Sequence, residues 1–138
     1  MSARDKFHRA VRTGLEKDGW TITDDPLMVK TGEVAQYIDL GAENLVAAEK
    51  DGRQIAVEIK SFLSSSPITD FHGALGQFLN YREALEEEEP GRKLYLAVPD
   101  DTFKDFFSLP FTEKMVRKYG LPLIVYNAET EVLRKWIN

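Results

Sequence analysis

The stretch Asp51-Gly52-Arg53-Gln54-Ile55-Ala56-Val57-Glu58-Ile59-Lys60 decides how this chain is read. Asp-Gly is a strong signal for a two-residue β-hairpin, because both residues tolerate the positive φ angles of a type I′ turn. It predicts a return strand from Arg53 to Phe62. The segment before it, Gln36 to Lys50, reads as a strand pair or one long bent strand, with Gly41 as turn or bulge. Side chains alternate along a strand, so Ile55, Val57 and Ile59 fall on one face and Ala56, Glu58 and Lys60 on the other. Glu58 and Lys60 therefore project together. If the hairpin pairs around Asp51-Gly52, Asp39 lies toward the same end of the neighbouring strand.

Two carboxylates beside one ammonium is what phosphodiester hydrolysis asks for. Hard oxygen ligands hold Mg2+ or Mn2+, and the metal acidifies a bound water and stabilises charge on the phosphate. Asp39 and Glu58 are the expected ligands, with the backbone carbonyl of Ile59 as a further one. Lys60 is placed to position the attacking water or to steady developing negative charge. An isolated Glu-x-Lys also reads as ordinary decoration of a wet strand face, so the neighbours matter. Within Gly73-Ala-Leu-Gly-Gln-Phe-Leu-Asn-Tyr-Arg82, Gln77 and Tyr81 are four apart and share a helix face. Beside a metal-binding strand they would hold a ligand, a water or a phosphate. By themselves they read as a surface Gln next to a half-buried Tyr.

Outward from this centre, Ser2 to Asp18 reads as a helix. Ser2 caps it, Asp5 stands in for the acid of a capping box, and Phe7, Val11 and Leu15 form its apolar stripe. Gly19 is placed to end it. Trp20 to Thr23 alternates like a short strand, stopped by Asp24-Asp-Pro. After the Ser64-Ser-Ser-Pro loop, Thr69 or Asp70 is the expected cap of a long helix reaching about Glu88. Its buried stripe is expected to be Phe71, Leu75, Phe78 or Leu79, and Leu85. Lys93 to Val98 reads as a fully buried strand. Thr102 to Phe107 and Thr112 to Tyr119 look helical, with Gly120 as a C-cap. Leu123 to Tyr126 and Glu131 to Ile137 are strands joined by a turn over Asn127 to Thr130. Strands separated by a helix are usually parallel, so the pattern predicts a mixed β-sheet flanked by α-helices in an α/β domain.

The bulk properties narrow the function classes. A chain of 138 residues, 43% hydrophobic and 30% charged, suits one soluble domain spanning 1–138. With no cysteine there is no disulfide framework, thiolate zinc site or cysteine nucleophile. No apolar h-region or membrane span is visible, so a cytoplasmic protein that does not engage membranes is expected. A net charge of −5 argues against coating DNA by charge alone. It argues less against a metal-dependent nuclease, whose site is acidic by necessity.

Asp39, Glu58-Ile-Lys60 and Gln77-x-x-x-Tyr81, in the order helix, strands, helix, strand, resemble the PD-(D/E)XK nuclease superfamily, and thus a restriction-endonuclease-like fold. Ile38 occupies the place of the usual proline before the first Asp. The chain also resembles a narrower family, the XisH proteins of cyanobacteria and some other bacteria. That likeness runs through Ala3-Arg-Asp-Lys-Phe-His, Lys17-Asp-Gly-Trp-Thr-Ile-Thr, Asp25-Pro-Leu, Ile38-Asp-Leu-Gly-Ala-Glu, Val57-Glu-Ile-Lys-Ser-Phe and Gly76-Gln-Phe-Leu-Asn-Tyr. It implies a factor controlling excision of the fdxN element, a DNA segment removed by site-specific recombination during heterocyst development. The implied partners are DNA, a small XisI-like protein and a site-specific recombinase. Set against the nuclease is a catalytically silent module that binds DNA or a partner and regulates a recombinase.

Other residues invite roles. In nucleases of this kind a first-helix acid often joins the metal site, which makes Asp5 or Glu16 candidate ligands. The alternative is a solvated helix face, Asp5, His8, Arg12 and Glu16, laced with ion pairs. His8 reads as a polar surface or packing residue, and His72 as a substrate contact at most. Glu86 to Glu89 is read as a solvated helix end. The Ser64 loop would offer hydroxyls and backbone amides to a DNA phosphate. Phe103, Phe106, Phe107 and Phe111 read mainly as core, and secondarily as an apolar surface for a homodimer or other partner.

Overall fold

The structure is a computed structural model that describes residues 2–31, 36–37 and 45–138. Asp39, Ile38 and the rest of the stretch 38–44, including Gly41, lie outside the described residues.

Helix α1, Ala3–Lys17, starts where expected: the Ser2 hydroxyl accepts the Asp5 N–H at 3.1 Å. It ends at Asp18, after which Gly19 turns the chain at φ +91°. Four described strands follow: β1 (Thr21–Asp24), the short pair β2 (Lys30–Thr31) and β3 (Gln36–Tyr37), and β4 (Leu45–Lys50). Asp51 (φ +50°) and Gly52 (φ +79°) close the hairpin to β5 (Arg53–Ile59), in register from Lys50 opposite Arg53 to Leu45 opposite Glu58. Both turn residues have the positive φ that a type I′ connection requires.

The long helix α2 spans Pro67–Glu88. Its cap is Ser66 rather than Thr69 or Asp70: Pro67 pre-sets the first helical φ, and the Ser66 hydroxyl faces the Thr69 N–H at 3.4 Å. The buried stripe is Phe71, Ala74, Phe78, Tyr81, Ala84 and Leu85. Leu75 and Leu79 are only partly buried, and Tyr81 is wholly buried rather than half so. At the end of the helix Glu86, Glu87 and Glu88 are exposed, whereas Glu89, just past it, accepts from Arg92 Nε at 3.0 Å. Arg92 is buried and donates through Nη1 to the Ile55 carbonyl at 2.9 Å, which fixes the entry into the next strand.

Strand β6 (Arg92–Pro99) is followed by α3 (Asp100–Asp105), α4 (Pro110–Lys118), β7 (Leu123–Asn127) and β8 (Val132–Ile137). Both short helices begin two residues before the sequence pattern suggests, α4 because Pro110 occupies its first turn. Gly120, at φ +55°, turns the chain after α4.

The main sheet has the order β1-β4-β5-β6-β7-β8. Pairings β5–β6 and β6–β7 are parallel, and the others are antiparallel. Among the described residues the result is a mixed six-stranded sheet with four helices. One face carries Ile55, Val57 and Ile59 in a cluster with Ala10, Val11 and Leu15 of α1. The other carries Ala56, Leu94 and Leu96 with Phe71, Phe78 and Tyr81 of α2. Central strands covered on both faces carry apolar residues on both, which is why Glu58 sits on a dry face and not a wet one. Among the described residues no helix is long and apolar enough to cross a membrane.

Candidate active site at the end of the central strand

The backbone just past the end of β5 is held from one side of the strand, by β6 and, beyond it, β7. The Lys60 N–H donates to the Ala97 carbonyl of β6 at 3.0 Å. The Lys60 carbonyl accepts from the Tyr126 hydroxyl of β7 at 2.8 Å. Tyr126 is fully buried, and burial raises its pKa well above the ordinary phenol value, so the hydroxyl stays a donor. Nothing in the apolar run Leu123 to Tyr126 marked this residue out. Tyr126→Phe keeps the ring and strands the carbonyl. We expect it to cost about 1 kcal/mol in urea unfolding.

Beyond Lys60 the chain leaves the sheet through Phe62, whose φ of +52° is a left-handed conformation uncommon for a bulky side chain. Phe62 is seated against Phe106 and Phe107, at ring separations of 6.3 and 5.7 Å. The Ser64 N–H donates to Asp70 Oδ2 at 3.2 Å, tying the loop to the first turn of α2. This loop and helix bring Gln77 back over the strand end.

Glu58, Lys60 and Gln77 meet there. The Lys60 ammonium donates to Gln77 Oε1 and lies 3.4 Å from Glu58 Oε2. The Glu58 side chain is 1% exposed, and neither oxygen has a hydrogen-bond partner among the described residues. Burial pushes its pKa up to about 7, against the opposing pull of the Lys60 ammonium. Lys60 and Gln77 open onto a cleft of about 330 Å³, whose polar wall also includes Ser64, Thr69 and Asp70. Glu58 lies just behind this wall.

Tyr81 lies one turn beyond Gln77 and points into the core between α2 and the sheet. The Ile59 side chain belongs to the α1 face, and the residue lines the cleft. Asp5 and Glu16 are exposed and border a different depression, alongside His8 and Arg12. Among the described residues of α1, Phe7 lines the Lys60 cleft. His8 Nε2 and Arg12 Nη1 each lie 2.8 Å from Asp25 Oδ2, an anchor between α1 and the segment after β1. His72 is exposed. Phe106 and Phe107 are core, Phe103 packs against it, and Phe111 is 57% exposed.

The donor set suits a hard cation. A buried carboxylate is costly to ionise; the Lys60 ammonium offsets part of that cost for Glu58, and a divalent metal would offset more. Among the described residues, no group of three or more His, Asp or Glu side chains converges.

These features define a mixed α/β fold with a buried acid, an amine and an amide gathered at the end of its central strand. The family model described as XisH protein matches residues 1–134, and the chain belongs to the XisH family. The fold matches the crystal structure of an XisH family protein from Nostoc punctiforme, with 50% identity and a TM-score of 0.89 over 97% of this chain and 100% of that one. It also matches an fdxN element excision controlling factor protein from Anabaena variabilis, with 51% identity and a TM-score of 0.89 over 98% of this chain and 100% of that one. No curated protein matches.

Proposed function

We propose that this protein is a metal-dependent, endonuclease-like factor that acts in excision of a DNA element by site-specific recombination, on a restriction-endonuclease-like PD-(D/E)XK site. The observation that carries the chemistry is the buried Glu58 carboxylate, which has no hydrogen-bond partner among the described residues and lies beside the Lys60 ammonium. The excision role is supported by what the Anabaena variabilis relative is called.

Glu58 would hold Mg2+ or Mn2+, with Asp39 as the second carboxylate and the Ile59 carbonyl completing the protein's share. Bound there, the cation supplies Lewis acidity toward a phosphate oxygen and lowers the pKa of water. Lys60 contributes a fixed positive charge beside the scissile phosphate. Gln77 keeps the ammonium on the cleft side, and Tyr81 anchors the helix that carries Gln77. The Ser64 and Thr69 edge of the cleft would take a DNA phosphate.

Calorimetric titration with Mn2+ tests the site. Wild type should bind, Glu58→Ala should not, and wild type should cleave duplex, branched or single-stranded DNA where Glu58→Ala gives only background. Absence of both binding and cleavage in wild type would sink the enzymatic reading.

One observation favours the silent alternative: Glu58 is shut behind the cleft wall while Lys60 is engaged by both Gln77 and Glu58. In that reading the fold binds DNA, a recombinase or a small XisI-like partner, alone or as a homodimer, without turnover. Asp39→Asn and Glu58→Gln proteins would then still support excision in cells.

A further inference from the structure

At the end of the sheet opposite Lys60, several elements bring aromatic rings and cations to one cleft. Trp20 precedes β1, Lys50 ends β4, Arg53 begins β5, Tyr95 stands on β6 and Trp136 on β8. They line a cleft of about 390 Å³ with Asp18 and Asn138. Arg53 begins β5 and Lys60 directly follows it, seven residues on and roughly 20 Å away at the usual strand rise, so the two clefts are separate.

Trp20 and Trp136 stack with ring centroids 5.8 Å apart and planes at 24°. Tyr95 meets Trp136 edge-on at 5.0 Å. The Arg53 guanidinium lies 5.3 Å and the Lys50 ammonium 6.0 Å from the Trp20 ring. Lys93 sits 5.2 Å from the Tyr95 ring and donates to Asn138 Oδ1 at 3.1 Å, as the Tyr95 hydroxyl does at 2.5 Å. Asp18 is the acid of the lining, and its main-chain carbonyl takes the Lys50 ammonium at 2.5 Å. Packing explains why Trp20 and Tyr95 are buried. It does not call for three cations around three rings in a chain of net charge −5, nor for Trp136 to remain partly exposed.

We infer that this cleft is a nucleotide-binding site, in which a base rests against the indole of Trp136 and its phosphate is held between Lys50 and Arg53. Aromatic stacking accepts any base, because every base presents a π face. The guanidinium fork of Arg53 matches phosphate oxygens, and Lys50 adds a point charge. A free nucleotide and an unpaired nucleotide of a single strand offer this same chemistry. The site does not depend on the metal at Glu58.

Both tryptophans of the chain line the cleft, so intrinsic fluorescence reports on it directly. Wild type is titrated with AMP and, separately, with a short oligothymidylate, and affinities are checked by calorimetry. A saturable response to AMP is expected if free nucleotide is the source, and to the oligothymidylate alone if the source is a strand. Trp136→Leu, and Lys50→Gln with Arg53→Gln, should each weaken binding at least about tenfold. Arg53 is exposed and Lys50 half-buried, so the double variant is expected to fold. Glu58→Ala should bind as wild type does, which separates this site from the cation site. No saturable response to either probe overturns the inference. So does an affinity unchanged in the double variant, or binding lost in Glu58→Ala.

Discussion

Replacing Glu58 with glutamine is expected to remove a loss of stability that the wild-type protein suffers between about pH 4.5 and pH 7. The Glu58 pKa is raised from 4.5 to about 7 by burial, with the Lys60 ammonium opposing. In that window the folded state holds a proton that the unfolded state has released. Stability therefore falls as pH rises through the window, and it levels off above the folded-state value. A shift of this size corresponds to roughly 3 kcal/mol. Glutamine keeps the shape and carries no charge at any of these pH values. Urea midpoints measured across the window should give a variant-minus-wild-type difference that grows with pH and then flattens. Parallel curves would show that the acid ionises as easily folded as unfolded. Added Mn2+ should lift the wild-type curve near neutral pH and leave the glutamine curve in place, because a bound cation compensates the buried charge.

Phe71→Ala is expected to be the most damaging single substitution around the candidate active-site cleft. Phe71 is fully buried and meets Phe106 and Phe107 edge-on, each at 5.7 Å. Emptying such a position costs about 3 to 5 kcal/mol. The loss has a functional reach, because Phe71 fixes the half of α2 that carries Gln77 over Lys60. Denaturant unfolding should show the full loss. A cost below about 1 kcal/mol would mean that the aromatic cluster does not seat this helix.

Much of this architecture was legible in the residues. The stripe of Phe7, Val11 and Leu15, the Asp51-Gly52 turn and the apolar run of β6 each carry a local cause, and each lies where that cause puts it. Glu58 and Lys60 project together because strand geometry permits nothing else, and Gln77 follows from helix periodicity. What was not legible depended on neighbours remote in sequence. Alternation cannot tell a half-wet strand from one covered twice, so the dryness around Glu58 appears only once α2 is docked. Tyr126 reaches Lys60 across β6, a relation that no spacing encodes. The caps fall at Ser66 and Leu109 because each precedes a proline whose fixed φ outweighs the polar residues further on. Asp39 falls outside the described residues, and its part in the site rests on sequence alone.

Helix α1 leaves the ribosome well before β7 and β8, yet the surface it covers is built in part from Ile124, Tyr126, Leu133 and Trp136. Its apolar stripe stays without a complete seat until the final strand is synthesised and laid beside β7. Order around α1 must therefore wait for β8. A nascent chain stalled before β8 would display that greasy stripe to chaperones.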